Sequence, residues 1–456
     1  MEATITRIVG EFTRKLIKTL VAGAAFPEAE QKVPQAIAAC AAKITGVYFE
    51  QVDKAIAKDK YGRRQAGYTV ERRGDKRTLL TTYGEVTYSR TYYRRESGGY
   101  EYLADTTLGI DRCRRVSEGV GLELVNASKD MSYAKASRYI GSKTISRQTV
   151  MSLVRSSTVV ENPELTPLRK VPELHIGADE AHVTIGGGKR TEVPLISIYE
   201  GIWHQGKRNS CKNVFHISEY GKTPYDLWEQ VADEIVKRYD LEGTRVYLHG
   251  DGASWIRTGL EWFPTAIFVL DKYHKNKAIT SMTAGLDKDM RNRAEHRIRK
   301  ALDAEDIEYF AHITENLCQE MPERTEIILE SAEYLKRFVK GISICAKDPR
   351  ADNSGCTEPH VSHILASRLS TRPMAWSKAT LQKLVPILAA GKVDAIGKTG
   401  KKSMKCLPKS LRKTMAKARK VPCRNTIGLP APEAIGNLPV TGKVTGLQVI
   451  LKAYAG

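Results

Sequence analysis

Apolar residues recur at two different periods along this chain, and the changes of period divide it. Over residues 1–57, Ile5, Ile8, Val9, Phe12, Leu16 and Leu20 fall three or four apart, which predicts helix with one apolar stripe. From 66 to 95 the period shortens to two. Segments 67–73, 77–83 and 84–95 read as strands joined by tight turns, the first at Gly74-Asp75. Helical spacing returns over 116–157 as three short helices, 116–127, 132–140 and 146–155, with Gly141 stopping the second and Ser146 capping the third. Asn162-Pro163 and Thr166-Pro167 then mark a linker.

The next hundred residues alternate. Apolar runs at 173–178, 193–199, 213–218, 245–249 and 265–270 predict strands. Helices are predicted at 224–239, where Leu227, Val231 and Ile235 share a face, and at 254–262. The order β-β-β-α-β-α-β is that of a ribonuclease-H-like α/β core; a doubly wound sheet would need helices between its first strands. Residues 275–345 then keep helical spacing throughout (Ile298, Leu302, Ile307, Phe310, Ile313, Leu317, Ile328, Leu335, Val339, Ile342), an all-α insertion. A further helix opens near Glu358-Pro359. The predicted divisions are a helical region 1–57, a small basic β region 58–112, a helix-turn-helix region 113–160, the first part of the core 168–274, the insertion 275–350, the last part of the core 351–390 and a basic arm 391–456.

A chain of 456 residues is too long for one ordinary core. Charge changes the picture more than length does. The formal net charge is +20, and two stretches carry most of it: 58–95 is net +7 and 391–424 is net +11. Clustered positive charge attracts polyanions, so a nucleic acid, DNA or RNA, is the expected partner. In 66–95 Tyr and Arg interleave, which suits either a nucleic-acid-facing sheet or an exposed sheet with Tyr on its packed face. No run of about 18 apolar residues occurs, so no membrane span is expected. The N-terminal residues do not read as a secretory signal. The eight Cys form no C-x-x-C pair, which fits a reducing cytoplasm, with the nucleoid as the place of work.

Three of the apolar runs lead into acids: Asp179 with Glu180 and His182, Asp251, and Asp271. Cleaving a phosphodiester requires an activated attacking oxygen and a stabilised leaving oxygen, and two divalent ions supply both. Mg²⁺ or Mn²⁺ prefers carboxylate oxygens and water. The first and fourth strands of such a sheet are neighbours, so Asp179 and Asp251 would meet, and Glu358 would arrive on the helix after the insertion. Glu180 is the alternative ligand if the register differs by one residue. In the helix-turn-helix reading, Ser146 opens the recognition helix and Arg147 and Gln148 face base edges; the other reading is a plain three-helix packing unit.

The segments 178–183 (Ala-Asp-Glu-Ala-His-Val), 250–256 (Gly-Asp-Gly-Ala-Ser-Trp-Ile), 269–277 and 355–377 (opening Gly-Cys-Thr-Glu-Pro-His-Val-Ser-His) together resemble the bacterial insertion-sequence transposases of the ISLre group, a family similar to Mutator-type transposases. The resemblance spans roughly residues 60–380. It implies a DDE enzyme that cuts transposon ends and joins them to target DNA, with a ribonuclease-H-like core and a helical insertion before the last acid. Asp179, Asp251 and Glu358 become the triad holding two Mg²⁺ or Mn²⁺ ions. Asp271-x-x-His274 looks like a D-x-x-H signature that orients DNA or the site. His182, His360 and His363 are expected to support it. Because transposases act on paired ends, a homo-oligomer is expected by analogy.

Other readings stay open at this point. Cys356, His360, His363 and His274 could bind zinc, although hydrogen-bonding roles are favoured for them. Trp255, Trp262 and Trp376 read as core. The chain could instead be a catalytically inactive ribonuclease-H-like DNA-binding protein, or a metal-dependent nuclease without strand transfer.

Overall fold

The structure, a computed structural model, describes residues 2–21, 25–139, 145–157, 167–205, 208–352, 355–371, 374–391 and 393. They fall into two units, one drawn from residues up to 157 with Val393, the other from 167–391. Gly141, the linker residues 162–166 and nearly all of the basic arm lie outside the described residues.

The first unit opens with helices α1 (Glu2–Val21) and α2 (Phe26–Lys58). Strands β1 (Tyr68–Thr81) and β2 (Gly84–Arg95) form an antiparallel hairpin. The turn expected at Gly74-Asp75 is absent: β1 runs straight through it as an irregularity in register between Val70 and Asp75, with exposed Gly74 at φ +78°. Only a residue tolerant of left-handed backbone accommodates such a bulge without ending the strand.

Tyr and Arg share the packed side of this hairpin: Arg77 and Tyr88, paired across the strands, both donate to buried Asp105. Tyr68, Tyr88 and Tyr93 are buried, and Tyr68 and Tyr93 pack with Val52 and Ile56 of α2. Arg72 lies over Tyr92 at 4.6 Å and Arg90 over Tyr102 at 3.5 Å. Several of these arginines already have anionic partners. Arg77 and Arg90 both pair with buried Asp105, and Arg72 pairs with Asp75. Part of the basic stretch is therefore internal architecture rather than free positive surface.

Besides the short helices Lys60–Gln65 and Leu103–Leu108, this unit holds α3 (Glu118–Asp130), α4 (Tyr133–Tyr139) and α5 (Arg147–Ser156). Ser117 caps α3 and Ser146 caps α5, each accepting from the amide three residues on. Val120, Leu124, Val150 and Val154 are fully buried.

The second unit is built on a five-stranded sheet. Its strands are β3 (Glu173–Thr184), β4 (Arg190–Tyr199), β5 (Phe215–Ile217), β6 (Arg245–Gly250) and β7 (Ile267–Leu270), in the order β7-β6-β3-β4-β5. β7, β6 and β3 are parallel; β4 is antiparallel to β3 and β5 to β4. Leu174, Ile176, Ile196, Ile198, Val246 and Leu248 share one core with α6 (Pro224–Val236). A polar ribbon, Ile202–Gln205 with Arg208–Cys211, follows β4 and carries no apolar pattern that would have announced it.

Beyond β7, α7 (Lys272–Thr283) leads into α8 (Lys288–Asp303), α9 (Ile307–Glu320), α10 (Thr325–Arg337) and α11 (Val339–Lys347), which enclose an apolar core shared with Leu270 of β7. The chain returns to the sheet through α12 (Thr357–His360), a π turn (Val361–Ala366) and Ser367–Leu369. Among the described residues no helix is long and apolar enough to cross a membrane.

Candidate functional site

Strand length places the first acid. Parallel pairing of β3 with β6 ends at Gly177 and His249, whereas antiparallel pairing with β4 continues to Thr184. Asp179 therefore stands inside β3, not at its end as the apolar run predicted; Ala181 and Val183 are buried beyond it and keep the strand going. Access survives because β6 has already stopped there. Asp251 follows its last residue, Gly250, and Asp271 follows the last residue of β7, with its amide donating to Gly250 O at 2.9 Å.

A nearby backbone amide holds each carboxylate. Glu180 N donates to Asp179 Oδ1, Ala253 N to Asp251 Oδ1 and Tyr273 N to Asp271 Oδ2, all at 2.8 Å. The last of these makes Asp271 the N-cap of α7, where the helix favours a negative charge. His274, one turn on, brings Nδ1 to 3.7 Å from Asp271 Oδ2, an ion-pair separation too long for a hydrogen bond. Asp271 Oδ1 and His274 Nδ1 are buried with no hydrogen-bond partner.

The three acids and His274 act on one another. Burial lifts the Asp179 carboxyl above its usual range; the Glu180 amide and His274 oppose the shift, and the charges of Asp251 and Asp271 add to it. Burial would lower His274, but its contact with Asp271 and the charges of Asp179 and Asp251 carry it above the ordinary histidine value. Burial also works against Asp271, yet His274 and the Tyr273 amide hold its carboxyl low. The site thus gathers more carboxylate than cation, which is the electrostatic condition a divalent ion relieves.

Alternation along β3 sets Asp179 and Glu180 on opposite faces. Asp179 shares its face with His175 and Gly177. Glu180 faces the other way, where Trp255 Nε1 donates to its Oε2 at 2.6 Å. Beneath the acids, His175 Nδ1 and His249 Nε2 lie 2.9 Å apart within the sheet, and His175 stacks on Tyr199 and Tyr247. Burial pushes His175 down to about 4 and His249 well below its usual value, so both are neutral at pH 7.

Glu358 sits on α12, which packs over the Asp179 face of β3. A Cβ on Gly177 would lie 3.0 Å from Thr357 Oγ1, so glycine at this position lets α12 come close. Glu358 is half-buried. Among the described residues, no three His, Cys, Asp or Glu side chains are placed closely enough to hold a metal ion.

The remaining candidates are scattered. His182 and His363 are exposed. His360 lies edge-on to His216, with ring centroids 4.9 Å apart. His274 stands with Asp271 instead, so the residues weighed for zinc do not converge. In the other unit, Ser146 is occupied as a helix cap, while Arg147 and Gln148 are exposed at the start of α5. Trp262 and Trp376 are buried. Sequence reasoning missed Tyr334 of α10, whose hydroxyl donates to Asp251 O at 2.8 Å. Nothing near Tyr334 in the sequence signals that partner, which lies across the whole insertion.

Comparison with known proteins adds the family. The chain is 34% identical over 417 residues to UPF0236 protein TTE2489 of Caldanaerobacter subterraneus subsp. tengcongensis, covering 89% of this chain and 87% of that protein. A second relative from the same organism, 36% identical over 345 residues, covers 74% of this chain and 72% of its own length; its name joins eleven loci of that genome. A more distant relative, the UPF0236 protein in vanSb 3'region of Streptococcus gallolyticus, is 24% identical over 360 residues. Residues 20–405 match the family described as Uncharacterised protein family (UPF0236), and to that family this chain belongs.

Proposed function

We propose that the chain is a DNA transposase with a ribonuclease-H-like catalytic core. The observation that carries the reading is the convergence of Asp179, Asp251 and Asp271 at the point where the parallel strands of one sheet stop. Two further observations support it. Strand order β7-β6-β3-β4-β5, with three parallel strands and two antiparallel ones, is the arrangement expected of a ribonuclease-H-like sheet. A relative present at eleven loci of one genome is what a mobile element leaves behind.

The donor types suit hard divalent cations, which prefer carboxylate oxygens, and the charges of Asp251 and Asp271 add to the raised pKa of Asp179. In this reading Asp179, Asp251 and Glu358 hold two Mg²⁺ or Mn²⁺ ions. When bound, the ions supply an activated nucleophile and charge for the leaving oxygen. Asp271 and the charges of Asp179 and Asp251 favour the protonated form of His274, which would present positive charge toward a phosphate. Glu180, tied to Trp255, takes no part in ligation. Arg147 and Gln148 read the element's ends, the basic surface holds the DNA backbone, and an oligomer brings paired ends together.

The test separates transposase from nuclease. A DNA end taken from the flank of the gene, carrying a labelled 3′-hydroxyl, is incubated with the protein, Mg²⁺ or Mn²⁺, and a plasmid target. Label joined to the plasmid is the expected product. Cleavage without joining would reduce the protein to a metal-dependent nuclease, and DNA binding with neither product would make it a catalytically inactive relative.

A further inference from the structure

Two side chains packed against the apolar core of the helical insertion also reach the Asp251 turn. Tyr334, near the end of α10, donates its hydroxyl to the main-chain oxygen of Asp251 at 2.8 Å. Phe338 lies at the junction of α10 and α11 and covers Gly252, which has φ +90°. A Cβ at Gly252 would collide with the Phe338 ring, so the turn has room for a hydrogen there and nothing larger. The two rings pack edge to face with centroids 5.3 Å apart, and Phe338 also meets Phe268 of β7 at 5.7 Å. The clamp is therefore anchored on the sheet as well as on the insertion.

We propose that Tyr334 and Phe338 are positioning residues through which the helical insertion sets the Asp251 carboxylate. The Tyr334 hydroxyl fixes the carbonyl of Asp251, and the Phe338 ring fixes the left-handed turn at Gly252. Together they aim the Ala253 amide at Asp251 Oδ1, and that 2.8 Å bond selects the carboxylate's orientation. Tyr334 is a dependable donor, because a tyrosine hydroxyl carries its proton at neutral pH and here meets a main-chain oxygen. An insertion that moved relative to the sheet would carry this turn with it. The site would thus be complete only with the insertion docked.

The Ala253 amide is the reporter. In the full-length protein, hydrogen exchange resolved to single amides is compared between wild type, Tyr334→Phe and Phe338→Leu. Tyr334→Phe removes one oxygen and keeps the ring, so folding is preserved. We expect Ala253 exchange to quicken about three- to tenfold in both variants, the loss of roughly one hydrogen bond, while β6 amides stay unchanged. Unchanged Ala253 exchange, or equal acceleration across β6, would overturn the proposal. A second readout rests on the proposed metal chemistry: Mn²⁺ affinity should fall by a similar factor. If Ala253 responds but wild type binds no Mn²⁺, the positioning role stands and the transposase reading fails.

Discussion

Trp255 donates its indole N–H to Glu180 Oε2 at 2.6 Å, and this bond distinguishes two acids that are adjacent in the chain. Glu180 is drawn to one face of β3, and Asp179 is left on the face that α12 covers. Glutamine at 180 still offers an oxygen to the indole, so Glu180→Gln should retain cleavage activity within a few-fold. Asp179→Asn should lower it by about a hundredfold or more, the loss expected for a metal ligand. Rates of DNA-end cleavage under matched Mg²⁺ check both. Equal losses would place Glu180 among the ligands.

Within the acid cluster, the Asp179 carboxylate is held at a cost to stability. A carboxyl whose pKa is raised by folding opposes the folded state above that pKa, and stability returns as pH falls through the raised value toward the unfolded one. Asp179→Asn should therefore be more stable than wild type at pH 7 without divalent ions, by roughly 1 kcal/mol or about 2–4 °C in melting temperature. Millimolar Mn²⁺ should raise the wild-type melting temperature and leave the variant nearly unmoved. Thermal melts with and without the ion, repeated at pH 7 and pH 4.5, give the comparison; the variant's advantage should shrink at the lower pH.

Asp348 predicts the opposite pH behaviour. It accepts hydrogen bonds from Arg245 at 2.5 Å, Tyr247 at 2.6 Å and Arg350 at 2.9 Å, tying the end of the insertion to β6. The bonds from Arg350, Tyr247 and Arg245 hold its carboxyl far below the ordinary aspartate range. Such a group stabilises the fold fully above the unfolded pKa, near 3.9, and the contribution is lost as pH falls toward the lower folded value. Asp348→Asn should cost roughly 2 kcal/mol at pH 7. Urea midpoints should show a constant gap from pH 7 to pH 5 that begins to close below about pH 4. A gap independent of pH would mean that the charge is not what the bonds require.

At the start of α5, capping and base reading separate. Ser146 accepts from Thr149 N at 3.1 Å, so Ser146→Ala should cost about 1 kcal/mol of stability. Arg147 and Gln148 are exposed; alanine at either should weaken binding to the element's ends by about 1–3 kcal/mol and leave stability alone. Titrations of end-sequence and scrambled duplexes at two salt concentrations separate lost specificity from lost charge.

How much of this could be read in the sequence depends on what each feature rests upon. The helix face of Leu227, Val231 and Ile235 is a strong periodic signal, and it packs as the spacing suggests. Asp251 and Asp271 follow short apolar runs, and they follow strands in the structure. Asp179 does not end its strand, because alternation resumes at Ala181 and Val183 after a polar interruption that a linear reading takes for an end. The Gly74-Asp75 dipeptide read as a turn, but one left-handed glycine serves a bulge equally well. Partnerships across long separations, such as Tyr334 with Asp251 or Trp255 with Glu180, have no local signature; they are set by how α10 and the segment after β6 pack on the sheet.

The central claim is that Asp179, Asp251 and Glu358 together enable the protein to cut DNA. Its most direct test is cleavage of the DNA flanking the gene by purified protein in Mg²⁺, comparing wild type with Asp179→Asn, Asp251→Asn and Glu358→Gln. The account predicts a cut at the element boundary by wild type and none by the three variants, with binding to the same DNA retained. Cleavage that persists in Asp179→Asn or Asp251→Asn would contradict it, and cleavage that persists only in Glu358→Gln would replace the third acid with Asp271.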